Sequence, residues 1–184
     1  MRKDIKIVFI HGNETEDWGY FWAPWVKEQL DALGLHTEFH TMPDGILARK
    51  EFWLPFMEEV LKIDEHTLIL GHSSGATAAL YYAQRHKIFG SVLLAPCYTD
   101  MGIEEERLSG WYDDEWDWKK IKENQEQIGL LYSLDDDVIP KEEFFFIKDH
   151  IAPDLVFEFN DKGHFISEDA FPEVIDCIRK ILSC

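Results

Sequence analysis

The sequence predicts a single three-layer α/β domain spanning 1–184, with a mostly parallel sheet of about six strands covered by helices on both faces. Three observations carry this. Short apolar runs recur along the whole chain, stretches with apolar residues at helical spacing fill the intervals between them, and 184 residues suit one domain with a sizeable core but not two. Strands buried on both faces read as continuous apolar runs, and parallel strands need crossover helices between them.

In chain order, the first strand is 5–10, an apolar run broken only by Lys6. Trp22, Trp25, Val26, Leu30 and Leu33 then recur at helical spacing ahead of a second strand at 36–41. Segment 47–62 is also helical, and Pro55 should interrupt it or start a new turn, with Phe56, Val60 and Leu61 facing inward. A third strand at 67–70 leads into a helical stretch at 76–83, and further strands follow at 91–95, 127–133 and 155–159. Pro140 begins a helix between the last two, and Phe171, Val174, Ile175, Ile178, Ile181 and Leu182 mark a final one. No repeat, linker or low-complexity stretch interrupts the series.

Eighteen basic against 36 acidic residues give a formal charge of −18. Such a field repels phosphate backbones and anionic headgroups, which argues against nucleic acid or a membrane surface as partner. No apolar stretch approaches membrane-spanning length, and the N-terminal run is not a signal-peptide core. Cys97, Cys177 and Cys184 are odd in number and lack metal-ligand or paired spacing, so free thiols in a reducing, cytoplasmic compartment are expected.

Roughly 30 residues separate the strand ending at Ala95 from the next one, well above the usual connection. They hold many acids together with Trp111, Tyr112, Trp116 and Trp118. These rings either patch the sheet edge or form a substrate wall, with Trp111 and Trp116 as its candidates, since the connection leaves the strand end where such folds place ligands.

The chemistry centres on Gly71-His72-Ser73-Ser74-Gly75, between the apolar run Leu68-Ile69-Leu70 and a helix. Three fixed residues match by chance in about 5% of chains this long, so the context matters more than the pattern. A strand, sharp turn and helix expose a serine above the sheet and aim the following amide, that of Ser74, at an oxyanion. Glycines on either side would let the backbone turn tightly, and a Gly/Ser-rich turn without chemistry is the plain alternative.

A serine nucleophile needs a base and a group to orient it. Of eight histidines, His36, His40 and His66 lie in or before strands preceding Ser73, His86 and His150 read as helix-end residues, and His72 should point away from Ser73. His164 follows the last strand, where a loop can swing an imidazole over the nucleophile. The orienting acid should end the preceding strand, and Asp135, Asp136 and Asp137 are all available. Hydrolases with this strand, turn and helix arrangement commonly place it four residues before such a proline, which selects Asp136, with Asp137 and then Asp135 behind it. A second oxyanion donor should come from the loop after the first strand, the amide of Asn13 or Gly12, unless Gly12 merely lets the chain turn.

These residues, together with Met42-Pro43-Asp44, Ala48-Arg49, Trp53-Leu54-Pro55-Phe56-Met57, Ser109-Gly110, Trp116 with Trp118, and Gly163-His164-Phe165, make the chain resemble the retinoblastoma-binding protein nine family of small serine hydrolases. The resemblance covers essentially the whole chain. It implies an α/β-hydrolase fold without a large lid domain, a Ser73, Asp136, His164 triad, and hydrolysis of a small ester, thioester or amide with no cofactor or metal. A peptidase for short peptides shares that mechanism, and an interaction module with an idle triad is the competing class. The family's namesake carries a Leu-x-Cys-x-Glu segment for docking retinoblastoma-type pocket proteins. Here the stretch is Leu61-Lys62-Ile63-Asp64-Glu65; the missing cysteine puts that partner in doubt.

Overall fold

A computed structural model of the chain describes residues 1–183, so the expectation for Cys184 lies outside the described residues. Among those residues six strands form one sheet: β1 (Lys6–Ile10), β2 (His36–Phe39), β3 (Thr67–His72), β4 (Ile88–Leu94), β5 (Gln125–Ser133) and β6 (Leu155–Phe159). Their order is β2-β1-β3-β4-β5-β6, and all five neighbouring pairs run parallel. The chain reverses its direction of progress between β1 and β3, which opens a crevice beyond their C-terminal ends, the ligand position of open α/β sheets.

The helices are α1 (Ala23–Ala32), α2 (Lys50–Pro55), α3 (Ser74–Ala83), α4 (Glu104–Ser109), α5 (Trp118–Glu123), α6 (Lys141–Ile151) and α7 (Pro172–Ile181). α1 packs with α7, while α2, α3, α5 and α6 form a second row, so helices cover both faces. Every residue of β3, β4 and α3 is buried. The stripe of α7 is buried as its spacing requires, with Phe171, Val174, Ile178, Ile181 and Leu182 fully inaccessible. No helix among the described residues is long and apolar enough to cross a membrane.

Segment 47–62 departs from expectation. Pro55 closes α2, and the next turn, Phe56–Val60, is π-helical, with Leu61 N–H bonding back to the Phe56 carbonyl at 3.0 Å. A π-turn closes five residues back and so holds more residues per turn. Trp53, Met57 and Leu61 therefore face the core; Phe56 is half-buried and Val60 is 53% exposed. Leu61-Lys62-Ile63-Asp64-Glu65 follows this turn, and its apolar members Leu61 and Ile63 are core residues.

Candidate active site

β3 passes to α3 through a single residue. Ser73 has φ 53° and ψ −122°, a conformation that L side chains rarely adopt and that persists only where the surroundings impose it. The expectation that the flanking glycines supply the tightness of the turn is corrected here: the positive φ falls on Ser73, and the glycines supply room. A Cβ on Gly71 would lie 2.5 Å from the Gly75 carbonyl oxygen, and one on Gly75 would lie 2.1 Å from that of Ile10. Both positions bring strand and helix backbone together more closely than any side chain allows.

His164 stands on the loop after β6, between Gly163 (φ 49°) and Phe165 (φ 59°). Its Nε2 is 3.0 Å from Ser73 Oγ and its Nδ1 is 2.9 Å from Asp136 Oδ2. An ionised carboxylate only accepts, so Nδ1 carries the hydrogen and Nε2 is left to accept from the Ser73 hydroxyl. The Asp136 side chain is 1% exposed. Burial pushes its carboxyl up, but the hydrogen bond and charge of His164, with the Ile139 and Val138 amides, outweigh it and hold the group below the ordinary aspartate value. Those amides donate to Oδ1 at 2.9 and 2.8 Å, so one carboxylate both orients the imidazole and closes the turn ahead of α6. Asp135 is exposed and takes a different task, its Oδ1 accepting from the Gly163 amide at 3.0 Å and from the Ser133 hydroxyl, which ties the His164 loop to β5. Asp137 is exposed.

Two further histidines brace the centre. His72 is buried, and its Nε2 donates to the His164 carbonyl at 2.9 Å. Burial and the neighbouring His164 charge push its pKa down to about 3, so it stays neutral. His11 Nε2 accepts from the Met42 amide at 2.8 Å while Nδ1 donates to the Gly12 carbonyl at 2.6 Å, and burial lowers its pKa as well. His36, His40, His66, His86 and His150 line no part of the cavity described below.

The backbone after β1 runs against the nucleophile, since a Cβ on Gly12 would lie 3.2 Å from Ser73 Cβ. Ser74 opens α3, where the amides have no intrahelical acceptor. Gly12 thus lies against Ser73, Ser74 follows it on α3, and Asn13 shares the lining of the cavity beside it. A cavity of about 290 Å³ opens there, lined by these loops, His164 and the rings of Phe9, Trp18, Tyr20, Phe21 and Trp22, with Met101, Ile103 and Glu106 from the long connection.

Trp111 and Trp116 are not among its walls, which corrects the expected substrate wall. Trp111 is fully buried, its indole N–H bonded to the Ala48 carbonyl at 2.7 Å and its ring edge-on to Trp53 and Tyr81. Trp116 donates to the Tyr98 carbonyl at 2.9 Å and stacks on Trp118. Both rings serve the packing of the insertion. Cys97 and Cys177 are buried free thiols, each pushed up by burial to about 12. Among the described residues no cluster of three His, Cys, Asp or Glu is arranged to hold a metal ion.

No expectation singled out the His11 side chain or Glu106, and His72, expected to point away from Ser73, bonds to the His164 carbonyl and lines the same cavity as Ser73. Glu106 sits in a run of three glutamates that reads as solvated surface, and no local signal marks it as the one that is buried.

The chain is 38% identical to the serine hydrolase RBBP9 of Rattus norvegicus over 185 residues, covering 100% of this chain and 98% of that protein. The crystal structure of the ydeN gene product of Bacillus subtilis superposes with a TM-score of 0.89 at 23% identity, over 98% of this chain and 100% of that one. A methylesterase protein from Arabidopsis, MES16, shares the fold with a TM-score of 0.67 at 13% identity, over 97% and 99%. No protein-family model matches the chain.

Proposed function

The chain belongs to the RBBP9 family of small serine hydrolases, and we propose that it cleaves a small carboxylic ester, thioester or amide through Ser73, His164 and Asp136 by way of an acyl-enzyme. The observation that carries this reading is the unbroken relay from Asp136 Oδ2 through His164 to Ser73 Oγ, with links of 2.9 and 3.0 Å, facing a cavity.

In this reading His164 Nε2 takes the hydroxyl proton as Ser73 Oγ attacks the carbonyl carbon. Asp136 holds the tautomer that makes Nε2 an acceptor and stabilises the imidazolium that forms. The developing oxyanion is met by the Ser74 amide and by that of Gly12 or Asn13. Collapse of the tetrahedral intermediate expels the leaving group, which takes the proton from His164. Water repeats the sequence on the acyl-enzyme and returns Ser73. A cavity near the lower end of the usual range for ligand sites suits a small substrate or a short peptide end.

Ser73→Ala tests the reading on a panel of small esters, thioesters and amides. Turnover should fall by about 10⁶, as for other triad nucleophiles, with the melting temperature preserved. Residual activity within about tenfold of wild type would remove Ser73 from the mechanism and favour an interaction module on a hydrolase scaffold.

A further inference from the structure

The two proposed oxyanion donors stand on different elements, the loop after β1 and the first turn of α3, so catalysis needs their separation to be fixed. One chain of hydrogen bonds, passing through the Cys97 backbone, joins them. Asn13 Nδ2 donates to Glu106 Oε1 at 2.8 Å, and the Tyr112 hydroxyl donates to Glu106 Oε2 at 2.9 Å. The Tyr112 oxygen lies 3.0 Å from Cys97 Sγ, and the Cys97 carbonyl accepts from Thr77 Oγ1 at 2.9 Å. Thr77 lies on α3 itself, on the turn that Ser74 begins.

Glu106 is 8% exposed and borders the cavity. A buried carboxylate is costly unless its oxygens are bonded. Both oxygens of Glu106 accept a hydrogen bond from the protein, Oε1 from Asn13 and Oε2 from Tyr112, which fixes the carboxylate between the two connections.

We propose that Glu106 is a positioning residue: through the Asn13 side chain it holds the Gly12–Asn13 backbone at the distance from the Ser74 amide that the tetrahedral oxyanion requires. This rests on the acyl-enzyme reading above. It gives the long connection a part in turnover that runs through its buried glutamate and not through its tryptophans.

The test is steady-state kinetics on a p-nitrophenyl ester. Glu106→Leu removes both acceptors and should lower kcat by about tenfold or more with KM within about twofold, because a misplaced donor costs the transition state and not ground-state binding. Asn13→Ala cuts the same link from the loop side while keeping the amide and should cost about as much, with no further loss in the double variant. Glu106→Gln keeps an acceptor for Asn13 and a donor for the Tyr112 oxygen, and should return kcat to within about threefold of wild type. An unchanged kcat in Glu106→Leu, a rise in KM that accounts for its loss, or a loss that Gln does not restore would overturn the proposal. If Glu106→Leu does not fold, wild-type kcat in Asn13→Ala overturns it alone. Failure of the underlying reading looks different: the wild-type protein would then turn over no ester and would not react with a fluorophosphonate at Ser73.

Discussion

Two connections crowded with aromatic rings leave the C-terminal edge of the sheet beside Ser73, and they bring different shares of those rings to the cavity. Residues 11–22, between β1 and α1, carry Trp18, Tyr20, Phe21 and Trp22, all of which line the cavity, with Tyr20 45% and Phe21 48% exposed. Residues 95–124, between β4 and β5, carry Trp111, Tyr112, Trp116 and Trp118, none of which does. The second connection itself divides. Its nearer part sends Met101, Ile103 and Glu106 to the cavity, and its farther part lays tryptophans over α2 and α3. Ring content therefore does not mark a substrate wall. What separates the two regions is the exposure of Tyr20 and Phe21, which no ring of the second region matches. Trp111 and Trp116 spend their indole N–H groups on the Ala48 and Tyr98 carbonyls and pack on Tyr81, whereas Trp22 is buried in the same manner, with its N–H on the Phe165 carbonyl, and still borders the cavity.

Substitutions can break this contrast, and the relay between the two regions sets the scale. Asp136→Asn should lower turnover by about 10⁴ through the wrong imidazole tautomer, leave both aromatic regions intact, and far exceed the losses in Asp135→Asn and Asp137→Asn. If Asp137→Asn proves the damaging change, the assignment at this turn is off by one residue. Trp111→Ala comes next. It should cost about 3–5 kcal/mol of stability through the cavity it leaves and slow every ester in parallel; a change in acyl-chain selectivity with an unchanged melting temperature would return Trp111 to the substrate wall. The smallest effect belongs to Phe21→Gly. Phe21 has φ 50°, a conformation that suits glycine, so stability should stay within about 1 kcal/mol of wild type. Removing the ring should shift the ratio of kcat/KM for long over short acyl esters by about tenfold. A selectivity that ignores Phe21 would place the acyl group elsewhere.

The strands were legible because buried parallel strands leave apolar runs, as at Leu68-Ile69-Leu70, and α7 because its stripe keeps a regular period. Ser73 and His164 are marked by their places between elements and Asp136 by its spacing from Pro140, and the structure places His164 within hydrogen-bonding distance of both Ser73 and Asp136. What stayed hidden depends on backbone geometry that residue types do not announce or on contacts distant in sequence. The inward face of 53–61 follows from a π-turn that hydrophobic spacing does not announce. Gly71 and Gly75 looked like turn formers, and the structure shows that they make room, Gly71 for the Gly75 backbone and Gly75 for Ile10 across the fold. Glu106 looked like its neighbours until Asn13 and Tyr112 were found to enclose it.

The proposed chemistry requires Ser73 Oγ to be the reacting atom of a working relay. Treating the purified protein with a fluorophosphonate, then measuring intact mass and mapping peptides, tests this most directly. A single adduct should form on Ser73, rapidly in the wild type, much more slowly in Asp136→Asn and not at all in Ser73→Ala. No adduct, or an adduct on another residue formed at the same rate in all three proteins, would contradict it.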